Sequence, residues 1–324
     1  MRVLDQGDAE FFPVDLDGFR EYVRENKSRV MESKLMSEKE AVSRYVDDGD
    51  YLVYDCEYIH RGPSSLEREV IRQRKKDLWI GGKFTYVDIG LLLAAGCISK
   101  VDVGFFGSGP GITKAVLDGK LQMEEYSNVV MTMRLHAGAM GIPFIPIRSF
   151  GGTTGFENSG AKLVEDPYTG LPTLIAPALN PDVALIHVQQ ADIYGNARVF
   201  GTGIAHRDCA LASRKVVISA EEIIDTEEIR RDPGLTSIPF YAVDAVVEAP
   251  FGAYPGECQG RYSVDDQHLQ EVFGAVRGAG DIDAYLEKYI YSVADDREML
   301  EKRVGAERLS ELRERAVIKD GYQP

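Results

Sequence analysis

The apolar residues of this chain come in short blocks that do not alternate with polar ones. Tyr51-Leu52-Val53-Tyr54, Leu78 to Ile80, Lys100 to Phe106, Phe144 to Ile147, Leu174 to Ala176, Val183 to Val188 and Lys215 to Ser219 all have this character. A strand with one face in water alternates, whereas a strand buried on both faces reads as a continuous apolar run. Segments of helical length separate the blocks. Ser37 and Glu40 stand in capping-box spacing before a helix through Ala41, Val42, Tyr45 and Val46, which Asp47-Asp48-Gly49-Asp50 ends in a turn. Leu66 to Lys76, Ile89 to Ala95 and Tyr126 to Met140 read as further helices, the last burying Val129, Met133, Ala137 and Met140. Strand and helix in alternation predict an α/β domain, a mostly parallel sheet with helices on both faces. Residues 1–33 read as an N-terminal helical extension, and residues 34–324 as one domain closing in a helical arm from Asp281 to Arg315.

Charge excludes two classes of partner. Against 37 Lys and Arg stand 52 Asp and Glu, a net of −15. A chain this acidic is unsuited to wrapping nucleic acid or lying on an anionic membrane. Its longest apolar run, Ile89 to Ala95, is too short to span a bilayer, and Met1 to Pro13 lacks a signal-peptide core, so a cytoplasmic address is expected. Cys56, Cys97, Cys209 and Cys258 form no CxxC pair and read as reduced thiols. His60, His136, His187, His206 and His268 show no metal-ligand spacing, so no metal site is expected. No GxSxG motif suggests a hydrolase triad.

Two segments have the makings of a site. Gly104-Phe105-Phe106-Gly107-Ser108-Gly109-Pro110-Gly111 follows an expected strand; its glycines allow close approach of a ligand, or equally a tight turn. It is not a dinucleotide fingerprint. His187 to Arg198 begins at the end of an apolar strand, where open α/β sheets place ligands, and Tyr194-Gly195-Asn196 closes it with a turn signal. Glu221 and Glu222 follow Val216 to Ser219 and read as acids in the first turn of a helix, where the dipole favours them. The basic run Arg68, Arg72, Arg74, Lys75, Lys76 reads as a solvated helix end.

Several blocks, taken in order, match one family. They are Asp48-Gly49-Asp50, Gly119-Lys120-Leu121 with Glu125-Tyr126-Ser127, Gly141 to Pro146, and His187 to Arg198. Glu221-Glu222-Ile223, Ile229 to Pro233 and Ile238-Pro239 follow, and then Val243 to Val247, Pro250, Gly252-Ala253, Pro255, Cys258, Gly260 and Tyr262. Over roughly residues 35 to 310 the chain resembles the A subunits of family I CoA-transferases of the glutaconate type. The resemblance implies a NagB/RpiA-like fold, a partner B subunit, and transfer of CoA between an acyl-CoA and a carboxylic acid, perhaps a dicarboxylate. It implies coenzyme A as a substrate with no permanently bound cofactor. The attacking glutamate is expected on the partner, with no catalytic nucleophile in this chain. The binding candidates here are Glu57, Arg61, Gly107, Ser108, Gly109, Asn128, Gln189 and Gln190.

The chain departs from that family at one loop. Where the family pattern has Gly-Gly-Phe and a later glycine, this sequence has Asp55-Cys56-Glu57 and Arg61; Pro63 keeps its place. Glu57 and Arg61 are expected to line the acceptor pocket, with Arg61 meeting a substrate carboxylate, or else to pair with each other or point to solvent. Pro110 stands where the glutaconate type has a loop serine, with Ser108 nearest to it. The alternatives are a CoA-ester hydrolase, ring-opening enzyme or decarboxylase subunit on the same fold, and, further off, a metabolite-binding regulator. Ring-opening relatives are expected to carry an acid near position 128, where this chain has an amide.

Overall fold

A computed structural model of the chain describes residues 1–56, 59–83, 88–105, 110–201, 203 and 205–316. The main sheet is built from β2 (Tyr51–Tyr54), β3 (Leu78–Gly82), β4 (Ile98–Val103), β5 (Gln122–Glu125), β9 (Val183–Ala191), β11 (Lys215–Ile223) and β12 (Ala245–Glu248). Their spatial order is β12-β11-β9-β2-β3-β4-β5, and every neighbouring pair is parallel. The short β10 (Ala197–Arg198) folds back antiparallel on β9.

Burial explains the missing alternation. Leu52, Tyr54, Leu185, Val217 and Val247 face one core, while Tyr51, Val53, Ile186, Val188 and Ile218 face another. Successive strand residues point to opposite faces, so a sheet covered on both sides is apolar at every position. The first core is closed by α2 (Glu38–Tyr45), α3 (Ser64–Arg72) and α4 (Asp88–Ala94), by α10 (Asp266–Val276), and by the C-terminal arm of α11 (Ile282–Leu286), α12 (Asp296–Met299) and α13 (Ala306–Arg315). Ser37 caps α2 as expected, its hydroxyl accepting from the Glu40 amide. α5 (Pro110–Leu117) connects β4 to β5.

The second face departs from the expectation of helices alone. α6 (Asn128–Met140) and α8 (His206–Ala212) cover part of it. The rest lies under a separate four-stranded antiparallel sheet, β1 (Val3–Gln6), β7 (Lys162–Glu165), β8 (Pro172–Pro177) and β6 (Phe144–Ile147) in that order. The runs at 144–147 and 174–176 belong here, not to the parallel sheet. In β8 alternate residues are the buried ones, and prolines at both its ends and at Pro146 keep these strands short. Residues 1–33 contain a strand as well as α1 (Leu16–Asn26), and they are bound into the molecule. β1 pairs with β7, Phe12 packs on Tyr51 and Trp79, and Lys27 bonds Asp244 and the Ala242 carbonyl.

α6 buries a different stripe from the one its sequence suggested. Val130, Met131, Arg134, Leu135 and Gly138 face inward with Ala137, whereas Val129 and Met140 are exposed. Arg134 explains the rotation. Its guanidinium is buried against Asp102 and over the Tyr126 ring, and its Nε donates to the Pro177 carbonyl. A partnered arginine thus occupies a position that a purely apolar reading assigns to solvent. The basic run at the end of α3 divides: Arg74 and Lys76 are exposed as expected, whereas Arg68 and Arg72 are held by the rest of the fold. Arg68 is buried on Asp296 and the Tyr254 carbonyl, and Arg72 on Glu69 and the Ile290 carbonyl, because the C-terminal arm folds over them. Two short helices, α7 (Thr154–Glu157) and α9 (Thr226–Arg231), complete the chain.

Candidate active site

The strand order reverses direction between β2 and β9. From β2 the chain steps outward through β3, β4 and β5; from β9 it steps the other way through β11 and β12. Crevices beyond the carboxyl ends of strands at such a reversal are where open α/β sheets bind ligands. Asp55 leaves β2 at this point, and His187, Gln189 and Gln190 lie on the last residues of β9. Because β9 runs on to Ala191, the segment from His187 is half strand; only the Asp192 to Asn196 turn lies beyond it, with Gly195 at φ 100°.

Arg61 and Asp55 form a buried ion pair across this reversal. Arg61 also donates to the His187 carbonyl at 2.8 Å, and the other Asp55 oxygen accepts from the Ala205 amide at 3.0 Å. Burial pushes the Asp55 carboxyl up, but Arg61 and the Ala205 amide outweigh it and hold Asp55 below its ordinary value. The two side chains that replace family glycines are therefore each other's partners. Arg61 stands at φ 56°, a left-handed backbone that favours glycine, which fits the glycine of the family pattern. Its two terminal nitrogens are thus engaged, while its Nε is buried without a hydrogen-bond partner. Glu57, the other expected partner, lies outside the described residues.

Next to this pair is a network that sequence reasoning missed. Glu221 is the seventh residue of β11, not the start of a helix; the helix begins at Thr226 behind an Asp225 cap. The His187 ring, fully buried, bonds the Ser219 hydroxyl at 2.9 Å and Glu221 at 2.7 Å. Glu221 also accepts from the amides of Phe251 and Gly252 and from the Tyr262 hydroxyl. The Cys258 thiol stands near enough that ligand-type atoms of His187, Glu221 and Cys258 lie within 4.8 Å of one another. Burial, then the Glu221 charge, pushes the Cys258 thiol up, which keeps it protonated. Pairing of β9 with β11 puts His187 opposite Ser219. Only that register could have revealed the trio, since the residues are far apart in sequence.

The remaining candidates divide. Gln189 is occupied by backbone: its Nε2 donates to the Phe200 and Gln259 carbonyls, and its oxygen accepts from the Phe200 amide. Gln190 is partly exposed and donates one N–H to Glu222, which also pairs with Arg261; those two hydrogen bonds lower the Glu222 carboxyl. Asn128 opens α6 behind the Ser127 cap, and its side-chain oxygen is buried with no hydrogen-bond partner. It sits against Gly104, where a Cβ would come within 2.6 Å of that oxygen. Gly107, Ser108 and Gly109 lie outside the described residues. Asn128 therefore sits at the root of the glycine-rich loop, near the carboxyl end of β4, on the other side of β2 from Gln190.

Known proteins share this fold. The coenzyme A transferase family model matches residues 35–249. The A subunit of glutaconate CoA-transferase from Acidaminococcus fermentans is 33% identical over 305 residues, covering 87% of this chain and 95% of that protein. The crystal structure of glutaconate coenzyme A-transferase from the same organism superposes with a TM-score of 0.82 at 32% identity, covering 86% of this chain and 95% of that one. A decarboxylase, AibA/AibB, superposes at 0.70 with 29% identity, over 79% of this chain and 98% of that one. With the family model, the sequence and the fold in agreement, the chain belongs to the coenzyme A transferase family and is a CoA-transferase A subunit.

Proposed function

We propose that this chain is the positioning half of a heteromeric enzyme that moves CoA between an acyl-CoA and a carboxylic acid. The covalent glutamate belongs to the partner B subunit. What supports this is the state of the carboxylates that flank the strand reversal. Asp55 is neutralised by Arg61, Glu221 accepts four hydrogen bonds, and Glu222 is held by Gln190 and Arg261. A nucleophile must offer an unencumbered lone pair to the thioester carbon. Asp55 and Glu221 are hydrogen-bonded on both oxygens, whereas Glu222 is bonded through one oxygen only, so the labelling below is what excludes it.

Gln190 and Asn128 are then the groups that orient substrate. A primary amide carries two N–H donors, so Gln190 keeps one after bonding Glu222. Such a donor stabilises charge growing on a thioester oxygen without changing its own protonation state. An amide at position 128 cannot act as the proton-transferring acid of a hydrolytic ring opening, which favours the transfer reading.

The test is to incubate the A–B complex with acyl-CoA, reduce with borohydride and map the modified peptide by mass spectrometry. Modification of a partner glutamate is expected. Label on Glu57, Glu221 or Glu222 would overturn the assignment, and an unlabelled complex that still consumes acyl-CoA would point to hydrolysis or decarboxylation.

A further inference from the structure

The two acids near the end of β11 are gripped from both sides by one turn. Residues Cys258 to Tyr262 fold back tightly, the Arg261 and Tyr262 amides both donating to the Cys258 carbonyl. Successive side chains of a strand point to opposite faces, so Glu221 and Glu222 face apart. Tyr262 is buried and donates its hydroxyl to Glu221 at 2.9 Å. Arg261, next to it, is partly exposed and donates to Glu222 on the outer side at 2.6 Å. A third tie runs to β9, where the Gln189 amide reaches the Gln259 carbonyl.

The turn is braced from behind. The Tyr262 ring stacks on Phe251 with 4.3 Å between centroids, and the Arg313 guanidinium of α13 lies 4.6 Å over the Phe251 ring. Phe251 stands at φ 62°, a left-handed backbone uncommon for so bulky a residue, and from there its N–H donates to Glu221. Strain of this kind persists only where the surroundings over-determine the conformation. Arg261 therefore projects from a rigid base.

Glu222 meets Arg261 and Gln190 through the same oxygen, Oε2, and the bond to Arg261 is the shorter, 2.6 Å against 3.0 Å. Those two bonds hold the Glu222 carboxyl below its ordinary value, and an ionised carboxylate only accepts hydrogen bonds. Glu222 thus selects one of the two orientations of the Gln190 amide, the one that turns nitrogen toward it. Released from Arg261, a long exposed side chain regains its rotamer freedom, and the amide bonded to it loses a fixed plane. An exposed ion pair adds little to stability. Its effect here is on direction.

We propose that Arg261 is a positioning residue, which holds Glu222 so that the second N–H of Gln190 points into the crevice at the carboxyl ends of β9 and β2. The proposal rests on the reading of Gln190 as a donor to the thioester oxygen, and it adds the group that aims that donor. A donor aimed before the substrate arrives needs no reorganisation at the moment of reaction. Arg261 thus acts on turnover through Gln190, and not on the affinity for acyl-CoA.

The test measures kcat and the KM for acyl-CoA in the A–B complex with Arg261→Met, Gln190→Ala and the double variant. Arg261→Met is expected to lower kcat about tenfold at unchanged KM, the scale of a slightly misplaced group. Its thermal midpoint should stay where it is, because the ion pair is exposed. Gln190→Ala is expected to lower kcat about 100-fold, and Arg261→Met to cost nothing further in that background. Arg261→Lys should recover part of the loss, since Glu222 engages one guanidinium nitrogen only. A raised KM at unchanged kcat would make Arg261 a substrate contact and overturn the proposal. Losses that add in the double variant would overturn it too, because Arg261 would not then act through Gln190. Wild-type kcat in Gln190→Ala would remove the reading on which the proposal rests, whereas wild-type kcat in Arg261→Met alone would remove only the proposal.

Discussion

Arg61 shows how a charge beside a candidate site can be tied into the fold. Its charge suggests a substrate anchor, yet its guanidinium is buried between Asp55 and the His187 carbonyl. Removing one member of a buried ion pair typically costs about 3–5 kcal/mol, because the other charge is left uncompensated. Arg61→Met is therefore expected to lower the urea midpoint of the complex sharply, and Arg61→Met with Asp55→Leu to recover much of the loss. Equal destabilisation by the single and double variants would show that the pair does not act as a unit. Glu124 offers a second test of a buried charge. Burial, then the Asp102 charge, pushes its carboxyl up to about 8. The folded state then binds the proton more tightly than the unfolded chain, so this group adds stability at low pH that is lost as pH rises from about 4.5 to about 8. His268, lowered to about 4 mainly by burial, acts oppositely, losing stability as pH falls below 6.5. Above pH 7 that contribution is constant. The thermal midpoint is expected to fall between pH 7 and 8.5, and Glu124→Gln to flatten the fall without abolishing it, since Glu67 titrates in the same direction. A slope unchanged by Glu124→Gln would refute this account.

At the scale of elements, the contact between β4 and α6 ties fold to site. Gly104 lies so close to the start of α6 that a Cβ would meet the Asn128 Cα at 2.6 Å and its backbone nitrogen at 2.7 Å. Backbone cannot give way as a flexible side chain does, so Gly104→Ala must displace the helix start. A cost of about 1–3 kcal/mol is expected, as for other overpacked positions, together with a fall in kcat because Asn128 moves. A variant with wild-type kcat would show that Asn128 does not need this placement. The same elements show what the sequence could express. Unbroken apolar runs gave away β2, β9 and β11, because burial on both faces leaves no room for polar residues. The antiparallel sheet stayed hidden because its strands are short and its pairing joins Val3 to Val164, a contact no local pattern encodes. The place of the candidate site was legible from a strand end followed by polar residues. The His187–Ser219–Glu221 network was not, since it depends on the register of β9 against β11.

The whole molecule carries an uncovered apolar surface near its candidate site. Val129 is 64% exposed and Met140 59%, at the two ends of the outer side of α6, with Phe105 and Phe200 partly exposed at the loops beyond β4 and β10. Single apolar residues are normal on a monomer, and His136 lies exposed between these two on α6; it is their nearness to the candidate site that makes this face the expected interface. Its natural cover is the B subunit proposed above to carry the glutamate. A stable interface of that kind buries about 1,200–2,000 Å² in total, so it extends well beyond α6. Expressed alone, the chain is expected to self-associate or aggregate; expressed with its partner, it should elute as one defined heteromer by light scattering. Val129→Lys and Met140→Lys should weaken that heteromer while leaving the far-ultraviolet circular dichroism of the chain unchanged, because both side chains already face outward. Two outcomes would count against this arrangement. A well-behaved monomer in the absence of the partner would show that this face needs no cover, and a heteromer indifferent to both lysines would move the interface to another face of the molecule.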